Sequence, residues 1–423
     1  MTAPCKSEHR PVARSHRLGG LQGLRLMALG SVGAARGKLL AVSAAFLLLA
    51  IALSASAASY GAGVASKGAR CQKGVHVTNG WGTFRTGKWP SACWRPYSNT
   101  SFFNTPLPPH PRLLGNSSAM IAKILSMGDI KPLKTNPAPG DDYYHPYFFP
   151  RSSDPIYTIR CNKHGSDCPI EGRRVRIPAS ARPASGSDAH MVVIDQASGW
   201  EYDFWNVQTV PLPRNGGPIT IGWGGRTRII NGPGGGTAAT ESPAVMSSTG
   251  AIGGVIRFQE LAAGHIDHAL FMVVGCSNGR MVYPGRDYGG TCADTTNAPA
   301  SGQWLQLNMT NNQINALRMP SWQKTILRAL ARYGGFVGDT GGNEAFGLEL
   351  ESQQTYTSVG AVNPYIAWAS KQATKRNSNI IRYSDGGVKR YALDIAKGVD
   401  WKQKLRVIDP CVIRPRRTRC SAR

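Results

Sequence analysis

The stretch His190–Val207, HMVVIDQASGWEYDFWNV, decides how this chain is read. Two runs rich in β-branched and aromatic residues, His190–Asp195 and Trp200–Val207, are separated by Gln196–Gly199, and that pattern predicts a β-hairpin. Side chains alternate along a strand, so Glu201, Asp203 and Trp205 share one face of the second arm while Tyr202 and Phe204 share the other. Charged groups are seldom buried unless paired or used, so acids inside such apolar runs mark the first place to look for chemistry.

Working outward, Ile266–Val274 (IDHALFMVV) reads as a strand apolar enough to be buried on both faces. Trp304–Met309 reads as another, and FVGDTGG at 336–342 as a strand running into a glycine turn. Ser321–Tyr333 is the clearest helix, with Ile326, Leu327, Leu330 and Ala331 on one stripe and Ser321 as cap. Ser117–Met127 and Pro364–Gln372 read as shorter helices, and Ala251–Ala262 as a strand or turn leading into one. Gly222–Gly236 reads as a glycine-rich loop, and 131–157 as a long loop with aromatics around His145. Gly 49 and Pro 28 supply many turns. The expectation is a mainly β, β-sandwich or jelly-roll-like single domain with two or three short helices and disulfide-pinned loops.

The cysteines bear on compartment. Eight fall into four sequential couples, Cys71 with Cys93, Cys161 with Cys168, Cys276 with Cys292, and Cys411 with Cys420, while Cys5 lies in the leader. Neighbour pairing is the least demanding scheme, although spacing cannot prove connectivity. Zinc is the poorer alternative because no CxxC pair occurs. Residues 1–57 combine basic residues, the uncharged Leu39–Ala58 and a small-residue site at Ala55-Ser56-Ala57, which predicts a signal peptide or a signal anchor. A flexible linker at 58–70 would then lead into an exported domain at 71–423 with a basic tail at 411–423. Secretion into an oxidising space follows from both features.

Seven basic residues and one acid leave with the leader, which lowers the formal charge from +25 to +19. Outside a cell, a basic chain attracts polysaccharides or anionic cell-wall polymers, with a membrane contact expected only through an uncleaved leader. Surface arginines that merely aid solubility are the plainer account. No nucleic-acid-binding signature is present.

The strings GxSxG and HExxH, a Walker loop and a dinucleotide fingerprint in context are all missing, and no cofactor is called for. A metal at Asp188-x-His190 is a weak reading, since such triplets arise by chance. Acids and histidines at strand ends remain: Asp203, Asp339, His268, His190 and Glu260 as catalytic candidates. Asp188, Trp205, Trp223, Tyr283 and Arg286 are candidates for holding substrate, because indole and phenol rings stack on sugars. For each, a side chain satisfied by a local backbone N–H, an ion pair or core packing is the ordinary alternative.

The strings HMVVID…GWEYDFW, GVIRFQELAAGHIDHALFM, MVYPGRDY and ILRALARYGGFVGDTGG, in that order over about 190–345, resemble a group of secreted, largely uncharacterised bacterial β-rich proteins. That resemblance implies a carbohydrate-active protein and puts His190, Asp203, Glu260, His268 and Asp339 at the group's recurrent polar positions. Asp203 departs from it, since the group carries glutamate there. Three functions then compete. A glycoside hydrolase would use Asp203 and Asp339 as an acid–base pair assisted by His268. A polysaccharide lyase on an acidic polymer would use His268 or a tyrosine as base, with arginines neutralising the substrate carboxylate. A wall-binding protein would release no product.

Overall fold

The computed structural model describes residues 71, 75–163, 167–235 and 241–413. The leader, the linker, Cys420 and most of the basic tail lie outside these. In chain order the strands are β1 (Leu133–Lys134), β2 (Tyr147–Phe148), β3 (Ile156–Cys161), β4 (Arg174–Arg176), β5 (Met191–Asp195) and β6 (Trp200–Val207). They continue with β7 (Gly217–Arg228), β8 (Leu270–Val274), β9 (Trp304–Leu307), β10 (Gly335–Thr340) and β11 (Phe346–Leu348). Three more, β12 (Ile380–Asp385), β13 (Val388–Leu393) and β14 (Leu405–Val407), complete the set among the described residues. The helices are α1 (Ser117–Leu125), α2 (Phe258–Ala263), α3 (Asn311–Ala316), α4 (Ser321–Arg332), α5 (Gln354–Thr357), α6 (Pro364–Ala373) and α7 (Trp401–Lys404).

These strands form three sheets, ordered β2-β5-β6-β7-β3-β4, β11-β8-β10-β9-β14 and β1-β13-β12. The chain is therefore mainly β. The predicted hairpin forms, with Asp195 opposite Trp200 and Met191 opposite Phe204. Its turn is tied by the Asp195 carboxylate, which accepts from the Ala197 and Ser198 N–H groups and the Ser198 hydroxyl. Three parallel pairings, β2 with β5, β3 with β7 and β8 with β10, depart from an antiparallel jelly roll. Such pairs need long crossovers, and the one between β8 and β10 carries α3 and α4; seven helices are described where two or three were expected.

Burial follows the pleat. Val192 and Ile194 of β5 face Phe271, Trp304 and Phe336 across one core, together with Trp94, Tyr97 and Phe103 from the N-terminal wrap. Leu270, Met272 and Val274 point the other way, onto Ile326, Leu327 and Leu330 of α4. The opposite face of the hairpin, Met191, Val193, Tyr202 and Phe204, packs on Ile170 and Ile177. Three disulfides form as paired above, Cys71–Cys93, Cys161–Cys168 and Cys276–Cys292. They fit an oxidising compartment, and no helix among the described residues is long and apolar enough to cross a membrane.

Two local expectations are corrected. The first part of the glycine-rich stretch at 222–236 is not loop: residues 222–228 belong to β7. Glycine is required within it, since a Cβ on Gly225 would meet the Ser242 carbonyl oxygen at 1.4 Å. Ser321 does not cap its helix, whose N-cap is Pro320. At the start of α1 the Ser117 hydroxyl accepts from the Val407 N–H.

Candidate functional site

An open cleft of about 500 Å³ lies where the C-terminal end of β10, the start of β5 and the segment after β11 converge. Asp188, His190, Asp339, Glu344 and Glu349 line it, joined by Lys131, Lys134, Tyr143, Tyr144 and His145 from the segment at 131–157, which was expected as one long loop but carries β1, β2 and the start of β3. Asp339 reaches it through a register shift in β10 between Val337 and Asp339. Such a bulge re-aims a side chain. Gly338 makes the bulge possible, because a Cβ there would lie 2.2 Å from the Phe271 ring.

His145 and His190 face each other with ring centroids 4.3 Å apart. Both are buried, and Phe271 flanks His145 edge-on. The His145 Nδ1 comes within 2.9 Å of Glu349 Oε1. That oxygen accepts from the His145 backbone N–H at 2.9 Å, however, and neither ring nitrogen of His145 has an aligned hydrogen-bond partner. Orphaned buried donors and acceptors are costly, and they are found where a ligand supplies the missing partner. Asp188 is half-buried at the mouth of the hairpin, and its Oδ1 accepts from Trp205 Nε1 at 3.2 Å.

The electrostatics split into raised acids and lowered bases. Burial, with the Asp188 and Glu349 charges adding, lifts Asp339 to about 7 against hydrogen bonds from the Thr340 and Met246 N–H groups. Burial lifts Glu349 to about 8 and Glu344 to about 7, the latter opposed by Lys131. Burial lowers His145 to about 4, and burial plus the neighbouring His145 lowers His190 to about 3. Near neutral pH the cleft thus holds carboxyls that keep a large share of their protons beside uncharged imidazoles.

The other predicted residues are not in this cleft. Asp203 is buried between the sheets with Glu201, so the expected Asp203–Asp339 pair does not form. Glu201 accepts from the Tyr97 hydroxyl at 2.5 Å and the Ile252 N–H at 3.1 Å, and Asp203 accepts weakly from the Ala251 N–H at 3.4 Å. Together they anchor the short 3₁₀ helix Ala251–Gly254. Burial and the Glu201 charge keep Asp203 well above the usual carboxylate range.

Glu260 and His268 are likewise sealed. Glu260 Oε1 accepts from Arg257 Nη2 at 2.5 Å and lies 3.0 Å from His268 Nε2, while His268 Nδ1 lies 2.8 Å from the Ala269 carbonyl oxygen. Arg257 also donates to the Ser91 and Trp94 carbonyls at 2.9 and 2.8 Å, which pins the N-terminal wrap to the body. Trp205 stands behind the cleft through its bond to Asp188. Trp223 pairs across the strands with Trp205. Tyr283 packs against Phe102, Arg286 is exposed, and neither lines the cleft.

His145, Glu344 and Glu349 are the residues that sequence reasoning passed over. The signal for Glu349 was available: it interrupts the apolar run AFGLELE at 345–351. Among the described residues, the one trio of potential ligands close enough to hold a metal is Cys71, Cys93 and His265, and there the two sulfurs are already joined. Compared with protein-family models, curated proteins and solved structures, the chain matches none.

Proposed function

We propose that this is an extracellular carbohydrate-active enzyme that hydrolyses a polysaccharide in the cleft, with Asp339 as general acid and Asp188 as the partner carboxylate. One observation carries the reading: a carboxyl held near neutral pKa stands beside a second carboxylate in an open, sugar-sized cleft. Environments that push two carboxyls apart separate acid from base. Asp339 gives its proton to the glycosidic oxygen as the bond to the anomeric carbon breaks. Asp188 draws a proton from the attacking water, or attacks the carbon itself and is released by water in a second step. His145 and His190 supply polar contacts to sugar hydroxyls, and the exposed Tyr143 offers a face for stacking.

The test is the protein incubated with a panel of purified polysaccharides, read for new reducing ends. Asp339→Asn and Asp188→Asn should each lower cleavage by about 10²-fold or more, the size of a lost general acid or base. Asp203→Asn should not act through the cleft. Full cleavage by both cleft variants would refute the assignment. A second reading, a lyase on an acidic polymer, draws support from the uncharged histidines as bases and from Lys131 and Lys134 beside them. A new ultraviolet-absorbing unsaturated product in the same panel would select it.

A further inference from the structure

The hairpin carries a second cluster at the end remote from the cleft. Trp200 opens β6 beside the turn, whereas Trp205, bonded to Asp188, stands five residues on, about 17 Å away along the strand. The two indoles also project from opposite faces of the sheet.

Across from Trp200 on β7, Arg226 and Arg228 lie two residues apart and so share its face. Their guanidinium carbons come within 3.9 and 4.3 Å of the Trp200 ring centroid. The two cations are therefore separated by no more than the sum of those distances. Neither makes an ion pair or a side-chain hydrogen bond among the described residues, and the buried Nε of Arg226 has no partner. The acid opposite Trp200, Asp195, is committed to its own turn.

Two like charges held together over one indole, with their N–H forks unused, form a preorganised receptor for an oxyanion. The ring fixes both guanidiniums, and an anion bound by their exposed N–H groups would offset the repulsion. We infer that Arg226 and Arg228, positioned by Trp200, form a binding site for the sulfate or carboxylate groups of an acidic polysaccharide, separate from the cleft. A polymer rather than a free ion suits the place: a half-open sheet surface gives a small anion little enclosure, whereas a chain can continue across it. The site does not depend on which reaction the cleft performs.

Binding of dextran sulfate, polygalacturonate and uncharged dextran to the full protein tests this by calorimetry, with inorganic sulfate as competitor. The two acidic polymers should bind and uncharged dextran should not. Arg226→Gln combined with Arg228→Gln should weaken binding by about tenfold or more, as expected for losing two charge-assisted forks. The single Arg228→Gln, at an exposed position, guards against misfolding and should weaken it at least about threefold with an unchanged melting temperature.

Arg174→Gln, exposed on the edge strand β4, should stay within about twofold. Retained affinity in the double variant would overturn the site. So would an equal loss from Arg174→Gln, which would mean diffuse charge alone, or displacement of the polymers by equimolar inorganic sulfate.

Discussion

The cleft around Asp339 and the interior network around Glu260 are made from the same residue types, histidine beside carboxylate, yet they behave oppositely. Burial would raise Glu260, but Arg257 and then His268 overcome it and hold the carboxyl below its ordinary value. In the cleft no cation closes on Asp339 or Glu349, and burial leaves both raised, to about 7 and about 8. The first arrangement is complete and holds the N-terminal wrap in place; the second has unmet hydrogen-bonding capacity facing open space. A buried acid or histidine is therefore informative about function only when its partners fall short and it borders a cavity.

The largest effect that can break this contrast lies in the interior. Glu260→Ala strands the Arg257 guanidinium in a dry core and should cost about 3–5 kcal/mol, as removal of one partner of a buried ion pair does. Denaturant unfolding checks it, and a loss below about 1 kcal/mol would mean that water or repacking replaces the carboxylate. Asp339→Asn should show no such loss in the same experiment.

Next in size is a pH effect. Glu349 holds its proton up to about 8 when folded but only to about 4.5 when unfolded, so the native state binds more protons between those values. Stability must then fall as pH rises through that window. Glu349→Gln removes the fall, so the variant should be more stable than its parent above pH 8, by at most a few kcal/mol. His145 acts in the opposite sense: with its folded value lowered to about 4, its contribution is lost as pH drops from 6.5 toward 4. Melting temperatures of parent and variant across pH 4–9 would separate the two contributions, and superimposable profiles would show that Glu349 is already solvated.

The hairpin, the two-faced strand at β8 and helix α4 were legible because apolar spacing reports burial directly, and burial is what orders these segments. The site was legible only in part. His190, Asp188 and Asp339 could be picked out as polar residues at strand ends, but alternation says which face Asp203 takes and not what lies opposite that face. Here the opposite layer is the Tyr97 hydroxyl and the Ala251–Gly254 turn, so Asp203 became a support for backbone N–H groups. Likewise the Arg257–Glu260–His268 network depends on the Ser91 and Trp94 carbonyls, more than 160 residues away in sequence. His145 escaped notice for the converse reason: its loop carries no periodic signal, and only the fold brings it against His190.

The smallest test sharpens the contrast inside the cleft itself. Trp205 does not line the cleft, but its Nε1 donates to Asp188 at 3.2 Å, so it is a positioning residue. Trp205→Phe keeps an aromatic ring opposite Trp223 in the strand register and removes that one donor. A single hydrogen bond to a charged group is worth about 1.5–3 kcal/mol at most, and less at this long, half-exposed distance. We expect unfolding stability to shift by about 1 kcal/mol or less and cleavage to fall by about three- to tenfold. If Asp188 works as the partner carboxylate, losing that donor loosens its aim at the reacting centre, so kcat should fall while KM stays within about twofold. A raised KM with kcat unchanged would assign Trp205 to packing alone and leave the orientation of Asp188 to the Asn206 N–H, which donates to its backbone carbonyl at 2.7 Å.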